Sequence, residues 1–341
     1  ASPGTSPRHT SSGTGAVDIA NGSFSSARLD SIRLSPGDNY RADITHRNKA
    51  YDIKISGNSA DLRQLISEAK SNVAATGGSG ENFVIAASGS LGSVRGFYET
   101  SLSDAQFSYA GRNGKTEKLS FKAVSPSGQA VVVDVDGQSQ PGQEKVEMTS
   151  GDAGAFARFA GVYGKMQGGL LNVRLQRAGD GPRRGVVDVR NFRIVGEEKL
   201  KALVSSPADS KGRSLNDAVR RKIEVNEASF EVANARIESG RGYLNVDEGI
   251  LRGTEIGASF RGLIYDQNGN MDLSGTFMPA YGINRLFGEL PLIGAILGNG
   301  RDQGLLGITF RLVGDADSPQ VAINPLSLIA PGVFRNIFEF R

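Results

Sequence analysis

Apolar and polar residues alternate with period two along most of this chain. Ile53 and Ile55 alternate with Asp52, Lys54 and Ser56, and Val131, Val133 and Val135 lie opposite Asp134 and Asp136. Leu171, Val173 and Leu175 alternate with Asn172, Arg174 and Gln176, as Val187 and Val189 do with Asp188 and Arg190. Successive side chains of a strand point to opposite faces, so each run predicts a strand with one greasy and one polar side. In the clearest case Ile256, Ala258, Phe260, Gly262 and Ile264 share a face, and Met271, Leu273, Gly275 and Phe277 share one on the return strand. Asn268-Gly269 between them predicts a tight turn, since such turns require positive φ. Asn113-Gly114 predicts a second hairpin, between Phe107–Tyr109 and Leu119–Phe121.

Helical spacing is rare. Ser59-Ala60-Asp61 caps a stretch carrying Leu62, Leu65 and Ile66, and Asp152 opens another carrying Phe156 and Phe159. These starts lie roughly 90 residues apart and each precedes a run of strands, which predicts two copies of a helix-plus-meander module. A third helix is expected from Glu197 to Val204, then a loop over Ser205–Asn216. Strands that follow strands without alternating helices favour an antiparallel meander over a parallel βαβ sheet. Periodicity alone leaves a closed sandwich and an open groove equally compatible with the pattern.

The domain reading has three parts. Residues 1–15, rich in Ser, Thr, Pro and Gly, predict a disordered lead-in. Residues 16–150 form an upstream β segment, and residues 151–341 a downstream one ending in amphipathic helical segments. The first such segment, Tyr281 to Leu297, carries Ile283, Leu286, Phe287, Leu290, Leu292, Ile293 and Ile296, and Pro291 divides it into two short turns. In the second, Val333, Phe334, Ile337 and Phe338 form a helical stripe opposite Arg335, Asn336 and Glu339. Such stripes are unfavourable in water and must dock on the β body, a partner or a lipid surface. Leu286, Phe287, Leu290, Ile293, Phe334, Ile337 and Phe338 are therefore the candidate membrane or partner contacts.

Composition narrows the function classes. The 45 glycines among 341 residues have no triplet period, which excludes collagen and suits turns and bulges. Absence of cysteine excludes disulfides, thiolate metal sites and cysteine nucleophiles. The net charge is only +3, and bases interleave with acids, as in Arg183-Arg184 before Asp188 or Arg220-Arg221-Lys222 before Glu224. Solvated faces rather than a nucleic-acid partner are expected. No apolar run reaches the length of about 18 residues needed for a spanning helix. The start, Ala1-Ser-Pro-Gly-Thr-Ser-Pro, lacks an initiator Met and a signal pattern, so a fragment or processed product is expected.

Catalytic signatures are missing. His9 and His46 are the only histidines, without zinc-site spacing, and no nucleophile elbow, Walker loop or dinucleotide fingerprint occurs. Asp134-Val-Asp136-Gly137 and Asp315-Ala-Asp317 share only their first ligands with calcium loops and read as solvated strand ends. The expectation is a non-enzymatic protein with no metal site and no cofactor.

Five ordered runs carry a family resemblance. Gly164-Lys-Met-Gln-Gly-Gly-Leu-Leu-Asn-Val follows the Asp152 helix, and Arg190-Asn-Phe-Arg-Ile-Val lies on the next strand. Glu248-Gly-Ile-Leu-Arg-Gly-Thr leads into the hairpin. Gly275-Thr-Phe-Met-Pro-Ala-Tyr-Gly-Ile-Asn-Arg-Leu-Phe-Gly-Glu-Leu-Pro-Leu-Ile-Gly is the most distinctive, and Asn324-Pro-Leu-Ser-Leu-Ile-Ala-Pro-Gly closes the set. Over residues 151–341 the chain resembles the C-terminal region of the AsmA-like family of bacterial envelope proteins, of YhdP/TamB type. Residues 1–150 match only in style, and the family's membrane anchor has no counterpart here.

The resemblance implies a mainly β fold, a long antiparallel sheet curled into an open, taco-like groove or half-barrel with a few short helices. It implies a periplasmic location, with anchorage to the inner membrane through a region missing from this chain. It further implies phospholipid transport between inner and outer membranes in support of outer-membrane integrity, and brings no catalytic residues. In such a groove Phe260, Ile264, Leu273, Phe277, Val187 and Val189 would face acyl chains, with Gly and Ala beside them keeping the channel open. The C-terminal end would meet a membrane surface or an envelope protein. The alternative is an assembly factor for outer-membrane proteins that holds a client strand.

Overall fold

The computed structural model describes residues 11–71, 83–137, 142–205, 214–218, 224–254, 256–279 and 308–324. The protein is mainly β, an open sheet that does not close on itself, with a few short helices. Its contacts divide the chain into two units, residues 1–164 with 170–183, and residues 165–169 with 184–341.

The first unit contains β1 (Ser12–Ala20), β2 (Ser23–Arg33), β3 (Asn39–Arg47), β4 (Ala50–Asp61), α1 (Arg63–Ser71) and β5 (Val84–Arg95). It continues through β6 (Ser101–Arg112), β7 (Lys115–Val124), β8 (Ala130–Asp136), β9 (Gln143–Ser150), α2 (Ala153–Phe159) and most of β10 (Met166–Ala178). Asn113 and Gly114 both have positive φ, at 52° and 75°, and the predicted pairs Phe107↔Phe121 and Tyr109↔Leu119 form across them. Asn21-Gly22 and Asn48-Lys49 make the same kind of two-residue turn. One pairing departs from the expected meander: β4 and β5 run parallel. A parallel neighbour needs a crossover rather than a hairpin, and the connection that carries α1 supplies it.

One end of the first unit is sealed. Leu62, Ile66, Phe156 and Phe159 pack with Ala60, Leu91, Val94, Leu102, Ala105, Ala123 and Val131, at one end of the strands. Both helix starts were legible. Asp152 Oδ1 accepts the Ala155 amide at 2.8 Å as an N-cap, and Asp61 Oδ1 accepts the Arg63 amide at 3.0 Å. The modules are not copies, however: α1 joins a parallel pair, whereas α2 joins the antiparallel pair β9–β10. The expected boundary at 150/151 also moves downstream, because Phe159 is buried among upstream strands and β10 pairs with β9. Residues 12–15 of the expected disordered lead-in belong to β1, which pairs with β2 although all nine of its residues are exposed, and residues 1–10 lie outside the described ones.

Burial pushes the Asp61 carboxyl up, but its side-chain and backbone hydrogen bonds from Arg63 outweigh this and hold it below the ordinary value of 3.8. A depressed carboxylate stabilises fully above its ordinary value, and the stabilisation is lost as pH falls through the lowered one. Asp61→Asn should therefore lower the melting temperature at neutral pH. The difference from the parent should shrink as melts are taken from neutral pH to below 3.8; a gap that widens on acidification would contradict this assignment.

The second unit contains β11 (Arg183–Val195) from Arg184 onward, α3 (Glu198–Ser205), α4 (Leu215–Ala218), β12 (Glu227–Gly240), β13 (Tyr243–Gly253) and β14 (Ile256–Tyr265). It ends with β15 (Asn270–Pro279), β16 (Ile308–Asp315) and β17 (Gln320–Ile323). The predicted third helix is α3, but part of the expected loop is helical. Ser214 and Asp217 exchange hydrogen bonds that cap α4, and residues 206–213 lie outside the described ones. The β14–β15 turn is longer than expected. Asp266 Oδ1 accepts the amides of Asn268 and Asn270, and of the Asn268-Gly269 pair only Gly269 has positive φ. Helix α3 touches β17, so the strip from β11 to β17 curls until its first connection meets its last strand.

Candidate functional site

Cross-strand registers turn separate alternations into continuous rows. In the first unit Val17, Ala27, Ile44, Ile53, Ala87, Tyr109, Leu119, Val135, Val146 and Leu175 pair in succession from β1 to β10. Beside them runs a second row of Leu29, Ala42, Ile55, Gly89, Phe107, Phe121, Val133, Met148 and Val173. The opposite face carries Arg28, Asp43, Lys54, Ser88, Ser108, Ser120, Asp134, Glu147 and Arg174 in the same order. One row on this face is thus apolar across ten strands and its neighbour across nine, and the opposite face is polar.

The apolar face is not sealed along its length. Under the helices Leu102 and Val131 are fully buried, and so, at the ends of the two rows, are Ala27, Ala42, Val146, Val173 and Leu175, but Ile53, Ile55, Phe107, Tyr109, Leu119, Phe121, Val133 and Val135 between them remain half-buried. A sandwich would cover these side chains with a second sheet at about 10 Å. Among the described residues, the buried cluster beneath the helices draws on strands of this unit and on α1 and α2. The result is an apolar trough, closed at one end by helices. At the other end His46, the histidine expected in a polar strand, stacks on Tyr51 at 4.5 Å, near Phe24.

Three of the predicted lining residues meet in the second unit on adjacent rows. Phe277 joins Ala233, Leu251, Ala258 and Ile308; Phe260 joins Ala235, Gly249, Gly275, Phe310 and Ile323; Leu273 joins Ile237, Val246, Gly262, Leu312 and Val321. Phe277 and Leu273 are buried, while Phe260 and Ile264 are half-buried. On β11 Val189 is buried and Val187 half-buried, and Phe192 stacks on Phe230 at 5.2 Å. The seven candidate membrane contacts from Leu286 to Phe338 lie outside the described residues.

The glycines have a different role from the one expected. They do not hold a channel open, because neighbouring rings cover them. A Cβ on Gly249 would lie 2.3 Å from the Phe260 ring, one on Gly275 2.8 Å from the Phe310 ring, and one on Gly89 3.0 Å from the Phe107 ring. Each aromatic side chain lies over the glycine of the adjacent strand, the arrangement that compensates a glycine's missing side chain.

Charge enters the apolar face on β9 and β10. Glu144, in phase with Val146 and Met148 on β9, is 5% exposed and pairs in register with Arg177 of β10. Its Oε2 accepts from Arg177 Nη2 at 2.7 Å and its Oε1 from Arg183 Nε at 2.5 Å. The signal was available: a charge in phase with a strand's apolar residues marks an exception on the buried face. Elsewhere, Asp315 accepts the Asp317 amide and closes the turn after β16, while Asp134 belongs to the polar face. A recess of about 510 Å³ on the second unit is lined by Arg261, Ser274 and Arg311. There Arg311 is engaged in a two-pronged bond with Asp272, which holds that carboxyl below the ordinary range.

No protein-family model, curated protein or solved structure matches the chain.

Proposed function

We propose that this protein is a non-enzymatic, lipid-binding and lipid-conducting trough of the bacterial envelope. In this reading it faces the periplasm and helps carry phospholipid between the inner and outer membranes. The observation that carries it is the pair of apolar rows, one crossing ten strands of the first unit and the other nine, which stay half-buried from β4 to β8. Each methylene of an acyl chain withdrawn from water contributes about 0.8 kcal/mol, so a path for lipid needs greasy contact that continues from strand to strand. The polar opposite face supports a sheet wetted on one side only. The C-terminal resemblance to the AsmA-like family points the same way.

A second reading has its own support. Strand β1 is exposed throughout, has β2 as its registered partner and contains neither Pro nor Lys to blunt its edge. Such an edge could take a client strand, as an assembly factor for outer-membrane proteins would. Native mass spectrometry of the purified chain separates the two. Bound phospholipid is the expected result; a bound polypeptide with no lipid would replace the first reading by the second.

A further inference from the structure

His46, Tyr51 and Phe24 form a compact cluster of rings at the unsealed end of the first unit. From its geometry we infer that it seats the headgroup of a bound amphiphile, one that carries a primary ammonium. The inference rests on the trough reading and names the ligand class its open end takes. The ammonium lies against the rings and donates an N–H to His46 Nε2, and the alkyl chain runs from there along Ile53, Ala87 and Ile55.

Register places the cluster in line with the apolar rows. His46 pairs with Tyr51, and one step of two residues along the strands Ile44 pairs with Ile53. On the other side of β4, Tyr51 pairs with Ile85, Ile53 with Ala87 and Ile55 with Gly89. Phe24 joins the same face through a bulge in β2: Val17 pairs with Ala27, but Ile19 pairs with Phe24 where strict alternation would give Ser25. Phe24, His46, Tyr51, Ile53, Ile55 and Ala87 are all half-buried, so both the rings and the apolar seat beyond them can be reached.

Hydrogen bonding fixes what the cluster recognises. His46 Nδ1 lies 3.0 Å from the Phe24 carbonyl oxygen, which can only accept, so Nδ1 carries the proton and Nε2 of the neutral ring holds a lone pair. Nε2 makes no hydrogen bond among the described residues and is not enclosed, and the same holds for Tyr51 Oη. The cluster therefore offers an unused acceptor on a ring that is already oriented through its other nitrogen. The rings add a preference for positive charge, because their faces attract cations within about 6 Å of the centroid. Their centroids are 4.5, 6.2 and 6.3 Å apart, so one cation can lie within reach of more than one ring. The charges of Arg47 and Asp52 in the same strands fall on the polar face, and Lys49 lies in the exposed turn. A primary ammonium satisfies both the acceptor and the rings. A trimethylammonium satisfies only the rings, and an anion neither.

Calorimetric titration of the full chain with dodecylammonium, dodecyltrimethylammonium and dodecyl sulfate tests this, below micelle-forming concentrations. A pH of about 8 keeps an ordinary imidazole neutral and a primary amine charged. Dodecylammonium should bind about tenfold more tightly than dodecyltrimethylammonium, and dodecyl sulfate more weakly than either. His46→Phe keeps a ring in place and removes Nε2. In that variant the two ammonium compounds should bind equally, and both still more tightly than dodecyl sulfate. Melting curves of the variant report its folding, and the comparison of probes on the parent stands without it. Equal affinity of the parent for the two ammonium compounds, or an advantage of dodecylammonium that survives His46→Phe, would overturn the headgroup site and leave the trough intact. Dodecyl sulfate binding as tightly as dodecylammonium would do the same. Failure of all three compounds to bind would overturn the trough reading itself.

Discussion

Leu119→Glu is expected to strip bound lipid from the first unit while leaving it folded. Leu119 is half-buried and stands in the apolar row between Tyr109 and Val135. Its partial exposure lets a carboxylate there keep much of its water, so the cost to folding should be limited to about 1–2 kcal/mol of lost leucine burial. A bound acyl chain would have to strip that water. Desolvating an unpaired charge costs several kcal/mol, and each 1.4 kcal/mol is about tenfold in affinity, so a loss of about a hundredfold or more is expected. Ser120→Glu, one residue away on the polar face, should change nothing. Phospholipid retained on the purified variants, measured by native mass spectrometry beside their melting curves, gives the comparison. Retention equal to the parent in a folded Leu119→Glu protein would remove this row from any lipid path.

Gly275→Val should strongly destabilise the second unit. Gly275 pairs with Phe260 on one side and Phe310 on the other. A Cβ there would lie 2.2 Å from the Ser259 carbonyl oxygen and 2.8 Å from the Phe310 ring. The ring can rotate away, but the carbonyl belongs to the backbone of β14 and can retreat only by giving up the β14–β15 ladder. Overpacking commonly costs about 1–3 kcal/mol, and an overlap with backbone belongs above that range. A fall of more than about 3 kcal/mol in denaturant-derived stability is expected, with faster hydrogen exchange in β14, β15 and β16. Unchanged exchange in those strands would mean that β14 does not approach Gly275 closely enough to exclude a side chain.

Much of the fold was legible because its signals are local. The Asn113-Gly114 turn follows from two adjacent residues that accept positive φ, and Asp152 caps α2 through an amide three residues away. Bulges are less visible. Asp104 and Asn191 adopt positive φ inside strands, so Leu102 and Ala105, or Val189 and Phe192, are buried together although they lie three residues apart. Strict alternation would place the members of each pair on opposite faces. The crossover at α1 was equally hidden, since nothing local distinguishes a strand that pairs parallel from one that returns antiparallel.

The candidate site divides in the same way. Phe260, Leu273 and Phe277 could be assigned to an apolar face from sequence alone, because the direction of a strand side chain is fixed by its own backbone. Which residues stand beside them could not be, because register is set by partners distant in sequence. Only the folded chain aligns Leu119 with Val135 and Tyr109, lays Phe310 over Gly275, or brings Arg177 and Arg183 onto Glu144. The sequence by itself determined that these strands have a greasy side and where many of them turn. The tertiary structure decided that the greasy sides join into rows and that helices seal one end in the first unit, because both depend on contacts between segments far apart in the chain.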